Sequence, residues 1–441
     1  MGQDENLSLW KNDRVPRNPP LANDIKVDVA VIGAGYTGLS AAYHMKILRP
    51  DEVVVVLEAE CAGHGASGRN GGMCLNQASI DYMSMIHPET HKLTYDATAQ
   101  CIKEISELMK ARGFGSFIRS SGSLLVNLND KGIKKSRDYA SKASSIGVPV
   151  EFWDRGRVAK EIGTKVYAGG LYDPNAAEVE PMKMVQALKK AAESMGVVVY
   201  ESSPVMRVDE GRPMVLLVQG ADGEHHTVTA GTVILGTDGY SSKLGFFKSR
   251  VIVSHTEMAA TEVLEKNTLS ELGWASRLPF HDDHIYLYHL GTTEDNRITI
   301  GAGNAEYFFN DSVIYRKDLS KRRKALQREL VRIYPALKGV EFEFVWSGVM
   351  TFSLDMAQSV GVMGKNRNIF YGIGYAGHGV SLAFLFGKVI ADIYVGRDNE
   401  WKRMPFYQNR LPPYLPPEPL RYVAVKSYMG YLRMLDVMRS S

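Results

Sequence analysis

VDVAVIGAGYTGLSAAYHMKILRPDEVVVVLE, running from Val27 to Glu58, decides how this chain folds. An apolar run leads into Gly33-x-Gly35-x-x-Gly38, a helical stretch follows, and a second apolar run, Val53 to Leu57, ends on the acid Glu58. Strand, tight glycine turn, helix, strand and acid is the order in which a chain grips a dinucleotide. Gly33 permits the sharp turn out of the strand. Gly35 removes the side chain that would hold backbone away from a pyrophosphate, and Gly38 lets the helix pack closely on the sheet. Tyr36 and Thr37 open that helix, whose N–H groups and positive dipole end would face the phosphates. Glu58, followed by Ala59, stands where a carboxylate accepts from both hydroxyls of a ribose, which argues against a 2′-phosphate. FAD and NAD share this fingerprint, so it does not choose between them.

The chain has 441 residues, more than one core comfortably holds, so two interwoven domains are expected. Its 45% hydrophobic and 23% charged residues are ordinary for a soluble globular enzyme. A formal charge of +3 is too small and too evenly spread to point to nucleic acid. Cys61, Cys74 and Cys101 form no CxxC pair, which reads as reduced thiols in an intracellular protein, and no metal is expected. The first 25 residues are polar and Pro-rich with no apolar signal core, and no apolar run approaches the roughly 20 residues that span a bilayer. A cytoplasmic enzyme is expected, with peripheral membrane contact left open.

Outward from the first unit, residues 1–25 read as a strap with Trp10 as its anchor. Helical apolar spacing marks 90–112, a charged helix is expected near 131–146, a helix with Pro181 in its first turn over 180–195, and another near 316–333. The stretch GVVVYESSPVMRV, which includes Val205, reads as a strand pair. Residues 246–345 turn to strand-like alternation, and HIYLYHL, TTEDN and RITIGAG form a hairpin pattern that would put Tyr286 and Tyr288 on one face.

Three further glycine segments follow the first. GASGRNGG, carrying Gly65, Ala66, Ser67, Arg69, Asn70, Gly71 and Gly72, puts small residues where backbone must run close to something flat. TVILGTDGYSS ends a strand at Thr237 and Gly239, suiting backbone that passes beneath a nucleotide. In IFYGIGYAGHGVSLAFLFGKVIADI a strand and a turn (Gly374, Gly377, His378) open a long helix at Gly379, Val380 and Ser381. Such a helix start suits the anionic edge of a reduced flavin.

Together with RITIGAG and WSGVMTFSLDMAQSVGVM, these segments resemble the FAD-dependent amine and amino-acid oxidoreductases of the D-amino-acid oxidase superfamily. Within it the chain looks most like gamma-glutamylputrescine oxidase-like members, and the resemblance runs from about Trp10 to Pro419. It implies an α/β fold in which a Rossmann-like FAD-binding domain is interleaved with an antiparallel-sheet substrate domain (α+β). The FAD domain would be discontinuous, from residues 1–90, 160–245 and 346–419. The substrate domain would take 91–159 and 246–345. The implied chemistry is oxidation of a primary or secondary amine, an amino acid or modified polyamine, with hydride passing from the carbon beside nitrogen to flavin N5 and water hydrolysing the imine. Either O2 or a quinone-type acceptor would then take the electrons.

Relatives that attach FAD covalently use a cysteine in the segment matching Val345–Phe352, which has none here, or a histidine where Arg69 stands. Non-covalent FAD is therefore expected, with His64 the remaining attachment candidate. The lysine that activates oxygen in sarcosine-type oxidases corresponds to Thr299, so oxidase against dehydrogenase stays open. Catalysis is expected to be flavin-centred, with no side chain assigned to it. Tyr286, Tyr288, Trp346 and Phe352 are candidates for the pocket wall, and Arg297 for a carboxylate clamp, against the commoner reading of each as core or solvated charge. After LPPYLPPEPL, residues 420–441 form an amphipathic helix with Arg421, Lys426, Arg433, Asp436 and Arg439 on one broad face. It would pack on the body, or dock on a membrane or on a partner protein that receives electrons.

Overall fold

The computed structural model describes residues 6–11, 16–76, 87–221, 223–407 and 411–440, and the side chains of Arg439 and Ser440 lie outside what is described. The first half of the chain supplies β1 (Ile25–Ile32), α1 (Tyr36–Leu48), β2 (Val54–Leu57), α2 (Pro88–Ala111), β3 (Ser123–Asn127), α3 (Asp130–Ser145), β4 (Glu151–Asp154) and β5 (Gly169–Asp173). Then come α4 (Pro181–Ser194), β6 (Val198–Tyr200), β7 (Val205–Asp209), β8 (Met214–Gln219), β9 (His225–Leu235) and β10 (Ile252–Thr261). The rest supplies β11 (Phe280–Asp282), β12 (Tyr288–Thr292), β13 (Ile298–Ala302), α5 (Ser320–Ile333) and β14 (Phe342–Phe352). It closes with β15 (Ser359–Met363), β16 (Ile369–Ile373), α6 (Gly379–Tyr394) and α7 (Leu420–Ser440).

Two large sheets result. The first runs β7-β8-β9-β1-β2-β6, with β16 beside β9 and β15 beside β16. Its centre is parallel: β1 pairs in parallel with β2 and β9, β2 with β6, and β9 with β16. β2 and the second half of β1, from Val29 to Ile32, are buried apolar runs, as the centre of a parallel sheet requires. α1 lies in the main core with α4, α6 and α2, and buries nearly all of its length. Helices α1 and α6 cross at Gly387, where a Cβ would stand 2.5 Å from Ala41 N and from the Ser40 side chain.

The second sheet runs β10-β13-β12-β11-β3-β5-β4, with β14 paired antiparallel to β10 along its length. Its own core holds Trp274, Phe280, Leu290, Ile298, Ile300, Leu326 and Leu330, covered by α5. This is the expected two-domain architecture. Several boundaries differ from the expected ones. β5 (169–173) and the whole of β14 belong to the second sheet, because each finds its ladder partner there. α2, expected with the substrate domain, buries Cys101, Ile102, Ile105 and Met109 in the core of the first. The stretch read as a strand pair splits: β6 joins β2 at one edge and β7 joins β8 at the other. Trp10 anchors the strap as expected, buried, with Nε1 donating to the Asn70 carbonyl at 2.8 Å.

Candidate functional site

A cavity of about 1970 Å³ runs between the two sheets. That is about twice the upper end of ordinary small-ligand pockets, enough for a dinucleotide and a substrate together. At the carboxyl ends of β1 and β2 it is lined by Gly33, Gly35, Tyr36, Thr37, Glu58 and Ala59. Gly33 turns the chain at φ +97°. A Cβ on Gly35 would meet Ser67 Oγ at 2.9 Å, and that hydroxyl accepts the Tyr36 N–H at 3.0 Å, so the glycine loop lies directly on the start of α1. Glu58 Oε2 accepts the Ala34 N–H at 2.8 Å and Oε1 accepts the Glu60 N–H at 3.0 Å. Burial pushes the Glu58 carboxyl up, while these two N–H groups hold it down. The carboxylate is thus fixed in place beside the turn, with lone pairs left for a ribose.

The glycine loop contributes Gly65, Ala66, Ser67, Arg69, Asn70 and Gly71 to the wall. The polar side chains of Arg69 and Asn70 are spent on the loop itself. Arg69 donates to the carbonyls of His64 (3.2 Å), Asn6 (3.1 Å) and Ser347 (3.0 Å). Asn70 donates to Ala66 O and Ser67 O and accepts from Gly72 N. Val205, Thr237 and Gly239 line the same end, and Gly377, His378, Gly379 and Val380 line the side where α6 begins. Four expected residues do not line the cavity. Gly38 and Gly72 serve backbone packing, since a Cβ would stand 2.0 Å from Gly33 O and 2.2 Å from Val179 O. Gly374 donates its N–H to Asp238 Oδ1 at 3.1 Å, and Ser381 donates Oγ–H to Leu75 O at 2.5 Å.

Of the five pocket-wall candidates, Tyr286 and Phe352 line the cavity. Tyr286 is not on a strand, and so does not share a face with Tyr288 by alternation. It sits in the turn before β12, where Ile285 N and Tyr286 N donate to the Asp436 carboxylate at 2.8 and 3.0 Å. Tyr288 packs on the second core instead. Trp346 is fully buried in the first core, and its Nε1 donates to Arg69 O at 2.9 Å. Arg297 is no carboxylate clamp in this fold: it is buried, paired with Asp295 (2.9 Å) and Glu343, and donates to Thr261 O at 2.8 Å. Thr299 is buried in β13 and does not line the cavity.

Sequence reading missed much of the wall. His281 and His289 face each other across β11 and β12 and line it, with His378 near His281. Burial pushes His289 down to about 4 and His281 down to about 3, the latter helped by the neighbouring imidazoles, so both are neutral at pH 7. Three histidines within nine residues, His281, His284 and His289, are the sequence signal available for this. The other missed element is α7, which closes the cavity with Val425, Tyr428, Met429, Leu432 and Leu435. Arg421 pins it to Asp311 at 2.9 Å and Lys426 to Glu306 at 3.2 Å. The helix therefore packs on the body, with Arg421, Lys426, Arg433 and Asp436 turned inward to partners; Arg439 lies outside the described side chains. Among the described residues no helix is long and apolar enough to cross a membrane.

Against known proteins, the FAD dependent oxidoreductase (DAO) family model matches residues 28–393. A gamma-glutamylputrescine oxidoreductase of Escherichia coli (strain K12) is 30% identical over 399 residues, covering 88% of each chain. The fold is shared with glycine oxidase from Geobacillus kaustophilus, with a TM-score of 0.72 at 19% identity over 88% of this chain and 99% of that one. It is also shared with L-proline dehydrogenase from P. horikoshii, with a TM-score of 0.72 at 18% identity over 87% and 98%.

Proposed function

The chain belongs to the FAD dependent oxidoreductase (DAO) family, whose relatives act on amines or amino acids, and from that membership we propose that it oxidises a primary or secondary amine at the carbon beside nitrogen. One observation carries this reading: a single cavity joins the glycine turn and Glu58 to a chamber walled by the neutral imidazoles of His281 and His289. FAD, when bound, would supply the two-electron acceptor for the hydride on that carbon. The chain's own residues bind, orient and exclude water. Gly33, Gly35 and the start of α1 would hold the pyrophosphate, Glu58 the ribose, and the segment Gly377–Val380 with the start of α6 the flavin edge. Neutral imidazoles, unlike imidazolium, put no positive charge beside an approaching ammonium. α7 closes the chamber with apolar side chains, which keeps bulk water from the reacting carbon.

FAD is held without a covalent bond in this reading. Arg69, at the position of the histidine attachment, is tied to three carbonyls, and β14 carries no cysteine. Acid precipitation should leave all flavin in the supernatant, whereas flavin retained on the pellet would point to His64. Free Cys61, Cys74 and Cys101 support a cytoplasmic setting. The test of function is anaerobic addition of amines and amino acids to the purified flavoprotein. Bleaching of the flavin, with aldehyde or oxo acid formed in equal amount, is expected. No bleaching by any of them, with dithionite reducing the same flavin, would sink the reading.

A second reading rests on the outer face of α7, where Val423, Tyr431, Met434 and Val437 are exposed. It makes the chain a dehydrogenase that passes electrons to a quinone or to a protein docked by this helix. Slow reoxidation of the reduced flavin by air, with transfer to the acceptor lost on removing residues 420–441, would favour it over the oxidase.

A further inference from the structure

The roof of the cavity is one lateral row of the second sheet. Met258, Gly301, His289, His281, Leu125 and Leu171 stand opposite one another across β10, β13, β12, β11, β3 and β5. A Cβ on Gly71 would stand 2.5 Å from His289 and 3.4 Å from Met258, so the glycine loop fixes the flavin end of the cavity under that end of the row. Leu125 lies two strands beyond His289, about 10 Å away, and Leu171 about 14 Å away.

On the same face, two residues along, Ser123 flanks Leu125 and stands opposite Asp173, which flanks Leu171; both line the cavity. Asp173 is held by the Tyr95 hydroxyl at 2.7 Å and the Asn175 N–H at 3.0 Å. Asn76 Nδ2 donates to its other oxygen at 3.0 Å. A carboxylate only accepts, so it fixes which way the Asn76 amide points and leaves Oδ1 as a free acceptor. Asn76 Oδ1 and Ser123 Oγ have no hydrogen-bond partner among the described residues, although the two residues are 4% and 3% exposed and line the cavity. Buried polar atoms are rarely left unpaired, and each orphan costs stability until something fills it. Lys131 and Lys135 border the cavity along α3, whose Gly132 abuts Asp283 on the other flank of Leu125.

We propose that Asn76, Ser123 and Asp173 form a second subsite, which takes the far end of an extended amine substrate through an N–H-bearing group, a second ammonium or an amide. The donor set is one of acceptors: an amide oxygen, a carboxylate and a hydroxyl that accepts as readily as it donates. A spacer of several carbons bridges from the imidazole-walled end to this cluster along Leu125, the apolar step between them. The subsite rests on the amine-oxidation reading and narrows it to amines with a polar nitrogen at both ends.

The test titrates the holoenzyme, without oxygen, with α,ω-diaminoalkanes of four to eight carbons, their mono-N-acetyl forms and n-alkyl monoamines of equal length. Calorimetry gives the dissociation constant and flavin absorbance reports bleaching. Binding at least tenfold tighter for the best diamine or N-acetyl diamine than for its monoamine is expected, equivalent to about 1.4 kcal/mol. In Ser123→Ala and in Asn76→Leu that ratio should fall toward one. The ratio is taken within each variant, so a general loss of stability or flavin does not imitate the effect. Equal binding of both series in the wild type, or a ratio unchanged in both variants, overturns the subsite while amine oxidation stands. Bleaching by neither series overturns the subsite, while amine oxidation stands or falls with the full panel of amines and amino acids.

Discussion

The Trp346 indole donates its Nε1 hydrogen to the Arg69 carbonyl at 2.9 Å, joining a strand of the second sheet to the glycine loop that walls the cavity. Trp10 packs edge-on to Trp346 at 6.2 Å between ring centroids and donates to the Asn70 carbonyl at 2.8 Å. Two consecutive carbonyls of the loop are thus held by two indoles, one from the N-terminal strap and one from the second sheet. The loop's curvature is set by these partners rather than by its glycines alone.

Trp346→Phe keeps an aromatic ring, smaller than the indole, and removes the donor, leaving a buried carbonyl without its partner and a small void beside it. A loss of about 1–3 kcal/mol is expected in urea unfolding, together with weaker flavin retention on dialysis. Unchanged retention would mean that the loop holds its shape without the second sheet.

Gly35→Val puts a branched side chain where Ser67 Oγ already stands 2.9 Å from the Cβ position. It should abolish FAD retention while far-UV circular dichroism still reports a folded chain. Full flavin content in the purified variant would place the cofactor loop elsewhere.

Arg421 and Asp311 are both buried, so Arg421→Ala leaves a carboxylate without its counter-ion. A loss of about 3–5 kcal/mol is expected. Undocking of α7 should also open the cavity, which increased quenching of flavin fluorescence by iodide would report.

Acid should destabilise the apoprotein through its buried histidines. His281 and His289 are held neutral, down to about 3 and about 4, whereas in the unfolded chain they take up protons below about 6.5. Their contribution is therefore complete above about pH 6.5 and is lost as the pH falls from there toward about 4 for His289 and about 3 for His281. The urea midpoint should drop between pH 7.5 and pH 5, and drop less in His289→Gln. An equal drop in both proteins would assign the acid sensitivity to other groups.

The segment from Val27 to Glu58 was legible because every part of it answers a local demand: buried parallel strands, a turn at Gly33 and a helix start over a phosphate. The cavity's roof was not. His281, Leu125 and Leu171 meet only because strands far apart in the chain lie side by side, and no local period announces such a row. Arg297 carries the same lesson, since Glu343, which occupies it, comes from a strand 46 residues on. Tyr286 looked like a strand residue by alternation, but the Asp436 carboxylate of α7 draws its N–H into a turn. The inward face of α7 is likewise decided by Glu306 and Asp311, which the helix sequence does not contain.

Amine oxidation at the carbon beside nitrogen is tested most directly by isotope labelling in a single anaerobic turnover. A primary amine that bleaches the flavin is prepared with two deuterium atoms on that carbon and mixed with the oxidised holoenzyme. The account predicts slower bleaching than with the unlabelled amine, and one deuterium lost from the product aldehyde for each flavin reduced. Bleaching with both deuterium atoms retained on that carbon would contradict it.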